Sequence, residues 1–101
     1  MALLIDMKRN GDSLTVSPEG RLDTSTAPNL DAQLRPVLSE GVKNLEIDLK
    51  ALDYISSAGL RLLLSVQKIM SAQGNMVVRN VNESVMEVFQ ITGFTNLLTI
   101  E

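Results

Sequence analysis

The chain has no cysteine, no histidine and no tryptophan, and its aromatic residues are two phenylalanines and one tyrosine. Each absence excludes chemistry. Without cysteine there is no disulfide framework and no thiolate metal site, which fits a reducing compartment. Without histidine, a Ser-His-Asp or Cys-His nucleophile pair cannot be assembled from this chain alone. Histidine zinc sites and histidine acid/base catalysis are equally out of reach. Few aromatics and a formal net charge of −3 argue against a surface that tracks phosphates or stacks bases, so no direct nucleic-acid contact is expected. No segment approaches the roughly 20 apolar residues that span a bilayer. The opening Met1 to Ile5 lacks a basic start and runs straight into Asp6, unlike a signal peptide. The expectation is a cytoplasmic protein without membrane contact, metal or cofactor of its own.

What is present suffices for one core. The 101 residues are 45% hydrophobic, and a chain of this size hides roughly two-thirds of its unfolded surface. No repeat, low-complexity stretch or flexible linker interrupts it, so residues 1–101 read as a single domain.

Ile5 and Met7 alternate with Asp6 and Lys8, and Leu14 and Val16 with Thr15 and Ser17. That is the period-two pattern of half-buried strands, and Asn10-Gly11-Asp12 between them suits a tight hairpin turn. Ala27, Leu30, Leu34, Val37 and Leu38 form one helical stripe, with Thr26 as the expected N-cap, Pro28 in the first turn and Gly41 at the C′ position. Pro36 predicts a kinked or irregular last turn. Leu45, Ile47 and Leu49 alternate with polar residues, as in a sheet with one wet face. Ala58, Leu60, Leu62, Leu63, Leu64, Val66, Ile69 and Met70 then occupy nearly every azimuth of a largely buried helix. Gln73-Gly74-Asn75 ends it and Met76-Val77-Val78 is a short strand. Asn82 caps a last helix that carries Val85, Val88, Phe89 and Ile91 on its apolar side and stops at Gly93. Leu97-Leu98-Thr99-Ile100 reads as a closing strand. The predicted order is β-β-α-β-α-β-α-β, an α/β fold with a small mixed sheet and helices mainly on one face. Residues 44–79 are expected to form one right-handed crossover unit.

Ser56 and Ser57 stand where the chain leaves the sheet and begins its most apolar helix. The first N–H groups of a helix lack intrahelical partners and carry partial positive charge. A serine oxygen can satisfy one of them, a capping role worth about 1 kcal/mol. An anion, including a phosphate carried by such a serine, is also well received there. Ser56-Ser57-Ala58-Gly59 lacks both the Gly-x-Ser-x-Gly pattern and a histidine, so a hydrolase built on either serine would have no general base. No phosphate-cradling glycine loop is present. Asp23, between a strand and a helix and beside Thr24 and Thr26, has a plain reading as a turn or capping acid. Arg61 shares a helix face with Ser57, which makes it either a phosphate or partner contact or simply a solvated charge. The methionines read as core gap-fillers.

Four segments carry a resemblance: Gly20-Arg21-Leu22-Asp23, Leu45-Glu46-Ile47-Asp48-Leu49, Tyr54-Ile55-Ser56-Ser57-Ala58-Gly59-Leu60-Arg61 and Val88-Phe89-Gln90-Ile91-Thr92-Gly93. In this order and spacing the sequence resembles the STAS-domain family, specifically the small bacterial anti-sigma factor antagonists, over almost its whole length. The resemblance implies the STAS fold and a binding switch rather than an enzyme. It implies an unphosphorylated form that binds an anti-sigma factor and frees the sigma factor. The anti-sigma factor would itself be the serine kinase, holding the ATP, and a PP2C-type phosphatase would reset the switch. The family's phosphoacceptor falls on Ser57. Many members carry aspartate where this chain has Ser56, which leaves Ser56 as the second candidate. The partner surface implied comprises Asp23 and Thr24 with Ser56, Ser57, Ala58, Gly59 and Arg61. The competing expectation is a constitutive STAS interaction subunit, such as those of lipid-transport assemblies, which uses the same helix surface without a phosphate cycle.

Overall fold

Alternating apolar residues build the first hairpin, as the pattern predicts. In the computed structural model, which describes residues 3–101, β1 (Leu4–Asn10) and β2 (Ser13–Leu22) pair antiparallel with Met7 opposite Val16. Gly11 in the intervening loop has φ +63°, a left-handed conformation that glycine adopts without steric penalty.

β2 is the hub of the sheet. Its first half runs parallel to β3 (Asn44–Asp48), from Ser13 opposite Asn44 to Val16 opposite Ile47. Its last residues, Gly20 to Leu22, run parallel to β4 (Leu52–Ile55). Pro18 falls in the gap between these two pairings, where no parallel neighbour requires the N–H it lacks. β3 also pairs in parallel with β5 (Asn75–Arg79), giving the order β1-β2-β3-β5 with β4 beside β2.

The helices α1 (Ala27–Leu38), α2 (Ser57–Gln73) and α3 (Glu83–Thr92) share one core with the sheet. Strand burial alternates: Leu45 and Ile47 are buried, while Glu46 and Asp48 are half-buried. The core side of the sheet thus meets the buried stripes of the helices, including Leu30 and Leu34 of α1, Leu63 and Val66 of α2, and Phe89 of α3. The mixed α/β class, with a five-stranded sheet and three helices, is the one the sequence predicts. Among the described residues no helix is long and apolar enough to cross a membrane.

The element order differs in two places. Leu52–Ile55 is a strand, although its burial pattern does not alternate. The expected closing strand Leu97–Ile100 does not form: a 3-10 helix, Phe94–Asn96, is followed by a turn at Leu97 and a bend at Leu98, and only Ile100 bridges, to Val78. Gly93, with φ +80°, ends α3, and the last residues meet β5 only around Val78, whose N–H donates to the Thr99 carbonyl and whose carbonyl accepts from the Glu101 N–H. The order is therefore β-β-α-β-β-α-β-α.

Local details also depart from expectation. Thr26 precedes α1 but makes no side-chain capping bond, because its hydroxyl is engaged elsewhere. The helix runs through Pro36 to Leu38. Pro36 and Ala32 are both exposed, so water can take the carbonyl left without a donor. The C-cap is Ser39, and Gly41 (φ +86°) lies in the loop beyond it. Ile91 is 80% exposed rather than packed. Asn82 caps α3 as expected, accepting from the Val85 N–H, and its amide also donates to the Leu52 carbonyl at 2.6 Å.

Candidate functional site

The end of β2 and the start of α2 are joined through the backbone. Leu22 lies opposite Ile55, and the N–H of the next residue, Ser56, donates to the Leu22 carbonyl at 2.9 Å. The Ser56 carbonyl then accepts from Leu60 N–H at 2.9 Å, the first helical bond of α2. Asp23 thus follows directly, and Ser57 after one intervening residue, from two strand ends that are held side by side.

Gly59 makes that closeness possible. A Cβ on it would lie 2.7 Å from Ile55 Cγ1 and 2.9 Å from Leu22 Cγ. The first turn of α2 rests against the strand pair with no room for a side chain.

The two serines are placed differently. Ser56 occupies the N-cap position in extended conformation (φ −101°, ψ 178°) without a side-chain capping bond, and its hydroxyl is buried with no partner. Ser57 is the first residue of α2 and is exposed. Neither serine therefore performs the capping role that sequence reasoning allows them. The first-turn N–H groups remain open to an external acceptor, in the partial positive field of a 17-residue helix.

Asp23 organises the turn leading into α1. Its Oδ1 accepts from the Ser25 N–H (3.0 Å), the Ser25 hydroxyl (2.8 Å) and the Thr26 N–H (3.2 Å). These bonds, the Ser25 hydroxyl first, hold its carboxyl below the usual aspartate range against a smaller opposing effect of desolvation. Thr26 is buried, and its hydroxyl accepts from the Asp23 N–H (2.9 Å) and donates to the Arg21 carbonyl (2.7 Å). The turn-acid reading of Asp23 is correct in geometry, and the same turn leaves Thr24 exposed.

Two residues enter that sequence reasoning did not single out for a role. Arg21 and Tyr54 are register partners on β2 and β4, and the Arg21 guanidinium stacks over the Tyr54 ring, 4.1 Å from its centroid. Arg21 Nε also lies 3.8 Å from Asp23 Oδ2. Both residues stand inside the recognised segments, but only the parallel pairing of β2 with β4 brings them together.

Ala58 and Arg61 are brought against α1 instead. With Ala27, Pro28 and Leu62 they line a shallow groove of about 310 Å³ between α1 and α2. Arg61 is exposed, and no ion pair among the described residues involves it.

The family model described as "Mlab, STAS domain" matches residues 5–99. The chain belongs to the STAS domain family. It is 37% identical to BtrV of Bordetella bronchiseptica over 83 residues, which is 81% of this chain and 72% of that one. It is 31% identical to the anti-sigma-B factor antagonist of Bacillus subtilis over 101 residues, which is 99% of this chain and 92% of that one. Among solved structures, the unphosphorylated form of the Bacillus anti-sigma factor antagonist SpoIIAA superposes with a TM-score of 0.83 at 18% identity, over 97% of this chain and 88% of that one. Its phosphorylated form superposes with a TM-score of 0.75 at 17% identity, over 97% and 91%. At such identities the likeness is one of fold.

Proposed function

We propose that this chain is an anti-sigma factor antagonist whose binding is switched off by phosphorylation of Ser57. The observation that carries the reading is the contrast between adjacent hydroxyls: Ser57 is exposed on the first turn of α2, and the Ser56 hydroxyl is buried. A kinase must bring the acceptor oxygen in line with the transferred phosphoryl group, and only Ser57 offers its oxygen without opening the fold. The relationship to the Bacillus subtilis anti-sigma-B factor antagonist, 31% identical over 101 residues, supports the antagonist part of the reading.

In the proposed cycle the unmodified chain binds an anti-sigma factor through Asp23, Thr24 and the first turn of α2. The partner, a serine kinase, holds ATP. The Ser57 oxygen attacks the γ-phosphorus, the bond to the β-phosphate oxygen breaks, the hydroxyl proton passes to a base on the kinase, and ADP leaves. The product carries about −1.5 to −2 additional charges at a helix N-terminus, where the fold accepts them. On a packed partner surface the same charge is repelled or poorly solvated, so the complex weakens. A PP2C-type phosphatase hydrolyses the phosphoester and restores the first state. The chain supplies a hydroxyl on a firm support and no catalytic group.

The test is mass spectrometry after incubation with the serine kinase encoded in its own genome and ATP. One phosphate on Ser57, absent from Ser57→Ala, is the expected result. A phosphate on Ser56, or none, overturns the reading. The second outcome favours a constitutive interaction subunit.

A further inference from the structure

Arg21 is held in a way that points beyond the unmodified state. Its guanidinium lies over the Tyr54 ring and leans along β2 toward Asp23, two residues further on. The 3.8 Å separation from Asp23 Oδ2 is longer than a hydrogen bond. Asp23 already spends its other oxygen on Ser25 and Thr26. The arginine is therefore positioned by a ring and a carboxylate but bonded firmly to neither, and its side chain is 48% exposed.

Because β2 and β4 run parallel, the direction in which it leans is also that in which the neighbouring segment advances from Tyr54 toward Ser57. Arg21 is the register partner of Tyr54, and Ser57 lies three residues beyond Tyr54 on the neighbouring chain. At about 3.3 Å per residue that is roughly 10 Å along the strand, a span that an arginine and a phosphoserine can close from their two ends. A guanidinium matches a phosphate with two parallel N–H bonds, whereas its contact with Asp23 Oδ2 here is a single loose one.

We propose that Arg21 is the internal counter-ion of phosphorylated Ser57, exchanging its contact with Asp23 for the phosphate when the serine is modified. This rests on Ser57 being the phosphoacceptor. The exchange gives the modification a second effect besides added charge: it strips Asp23 of its arginine neighbour and lifts the guanidinium from Tyr54, so the turn beside the helix changes its surface too. Arg21 would be a positioning residue for the modified state and would take no part in the transfer.

The experiment uses the full chain with phosphoserine encoded at position 57, which bypasses any kinase. The second ionisation of the phosphate, ordinarily near pH 6, is followed by 31P NMR in the parent, Arg21→Gln, Arg21→Lys and Arg61→Gln. A nearby cation favours the dianion, so the midpoint should rise by about 0.5 unit or more in Arg21→Gln, relative to the parent, and be partly restored in Arg21→Lys. Arg61→Gln, one helical turn from Ser57, should raise it less than Arg21→Gln does. An unchanged midpoint in Arg21→Gln, or a rise in Arg61→Gln equal to or larger than that in Arg21→Gln, overturns the proposal. Should Arg21→Gln fold poorly, the Arg21 Nε–H resonance of the parent reports the same exchange. It shifts on modification if the proposal holds and stays put if the Asp23 contact persists. Failure of a kinase to modify Ser57 would count against the proposed function, and an unmoved phosphate midpoint would count only against the role of Arg21.

Discussion

The N–H of Ser56 donates to the carbonyl of Leu22 at 2.9 Å, and this bond sets the distance between the Asp23 turn and the first turn of α2. Everything proposed for the site depends on these two chain segments leaving the sheet together. The bond is supported from the core side by Leu22 and Ile55, both buried, and by the glycine that lets the helix approach them.

Gly59→Ala tests that support. Alanine is favoured over glycine within a helix by about 1 kcal/mol, but its Cβ would stand 2.9 Å from Leu22 Cγ and 3.0 Å from the Leu22 carbonyl oxygen. The backbone oxygen cannot move aside as a flexible side chain would. Overpacking should win, with a net loss of about 1–3 kcal/mol in urea unfolding. A stability equal to or above the parent would show that α2 can shift without cost.

Thr26→Val tests the turn before α1. The substitution removes a buried hydroxyl that joins the Asp23 N–H to the Arg21 carbonyl. Two backbone groups lose a partner, and a loss of about 1–3 kcal/mol in the same unfolding measurement is expected.

Asn82→Ala should destabilise by about 1–2 kcal/mol. It removes the cap at Val85 and the amide bond to the Leu52 carbonyl, so it loosens α3 and the short strand β4 together. Hydrogen exchange should increase at Val85 and in Leu52–Ile55, and a change confined to the helix would contradict the link.

Acid should act on the Asp23 turn in a defined direction. The folded carboxyl titrates below the ordinary value of 3.8, so the folded state binds its proton less readily than the unfolded chain does. The contribution is complete above 3.8 and is lost as pH falls through the lower folded value. NMR titration of the Asp23 carboxyl should give a midpoint below 3.8, and Ser25→Ala should raise it because the Ser25 hydroxyl is the largest cause. A midpoint above 3.8 in the parent would contradict the hydrogen-bonded turn.

Much of this architecture is legible in the sequence. The hairpin from residue 4 to 22 follows from alternation around Asn10-Gly11, and both ends of α3 follow from Asn82 and Gly93. The strand Leu52–Ile55 was hidden because it is four residues long with its two middle positions exposed, which erases any period. The closing segment misled in the opposite sense. Leu97-Leu98-Thr99-Ile100 is apolar enough for a strand, yet it opens with a turn and a bend, and only Leu98 is buried and only Ile100 bridges.

The site divides along the same line. Ser57 and Asp23 stand out in the sequence because each sits at a helix entrance with family-like neighbours. The buried, unpartnered state of Ser56 and the stacking of Arg21 on Tyr54 depend on how β4 pairs with β2, a contact between residues more than thirty positions apart. No local pattern encodes it.

The central claim is that one phosphate on Ser57 separates the bound from the free state. The direct measurement is calorimetric titration of the anti-sigma factor kinase from the same genome with the unmodified chain and with the chain carrying encoded phosphoserine at position 57. The unmodified chain should bind, and modification should bring at least about a tenfold loss, equivalent to ~1.4 kcal/mol, with both forms folded. Equal affinity for the two forms would contradict it.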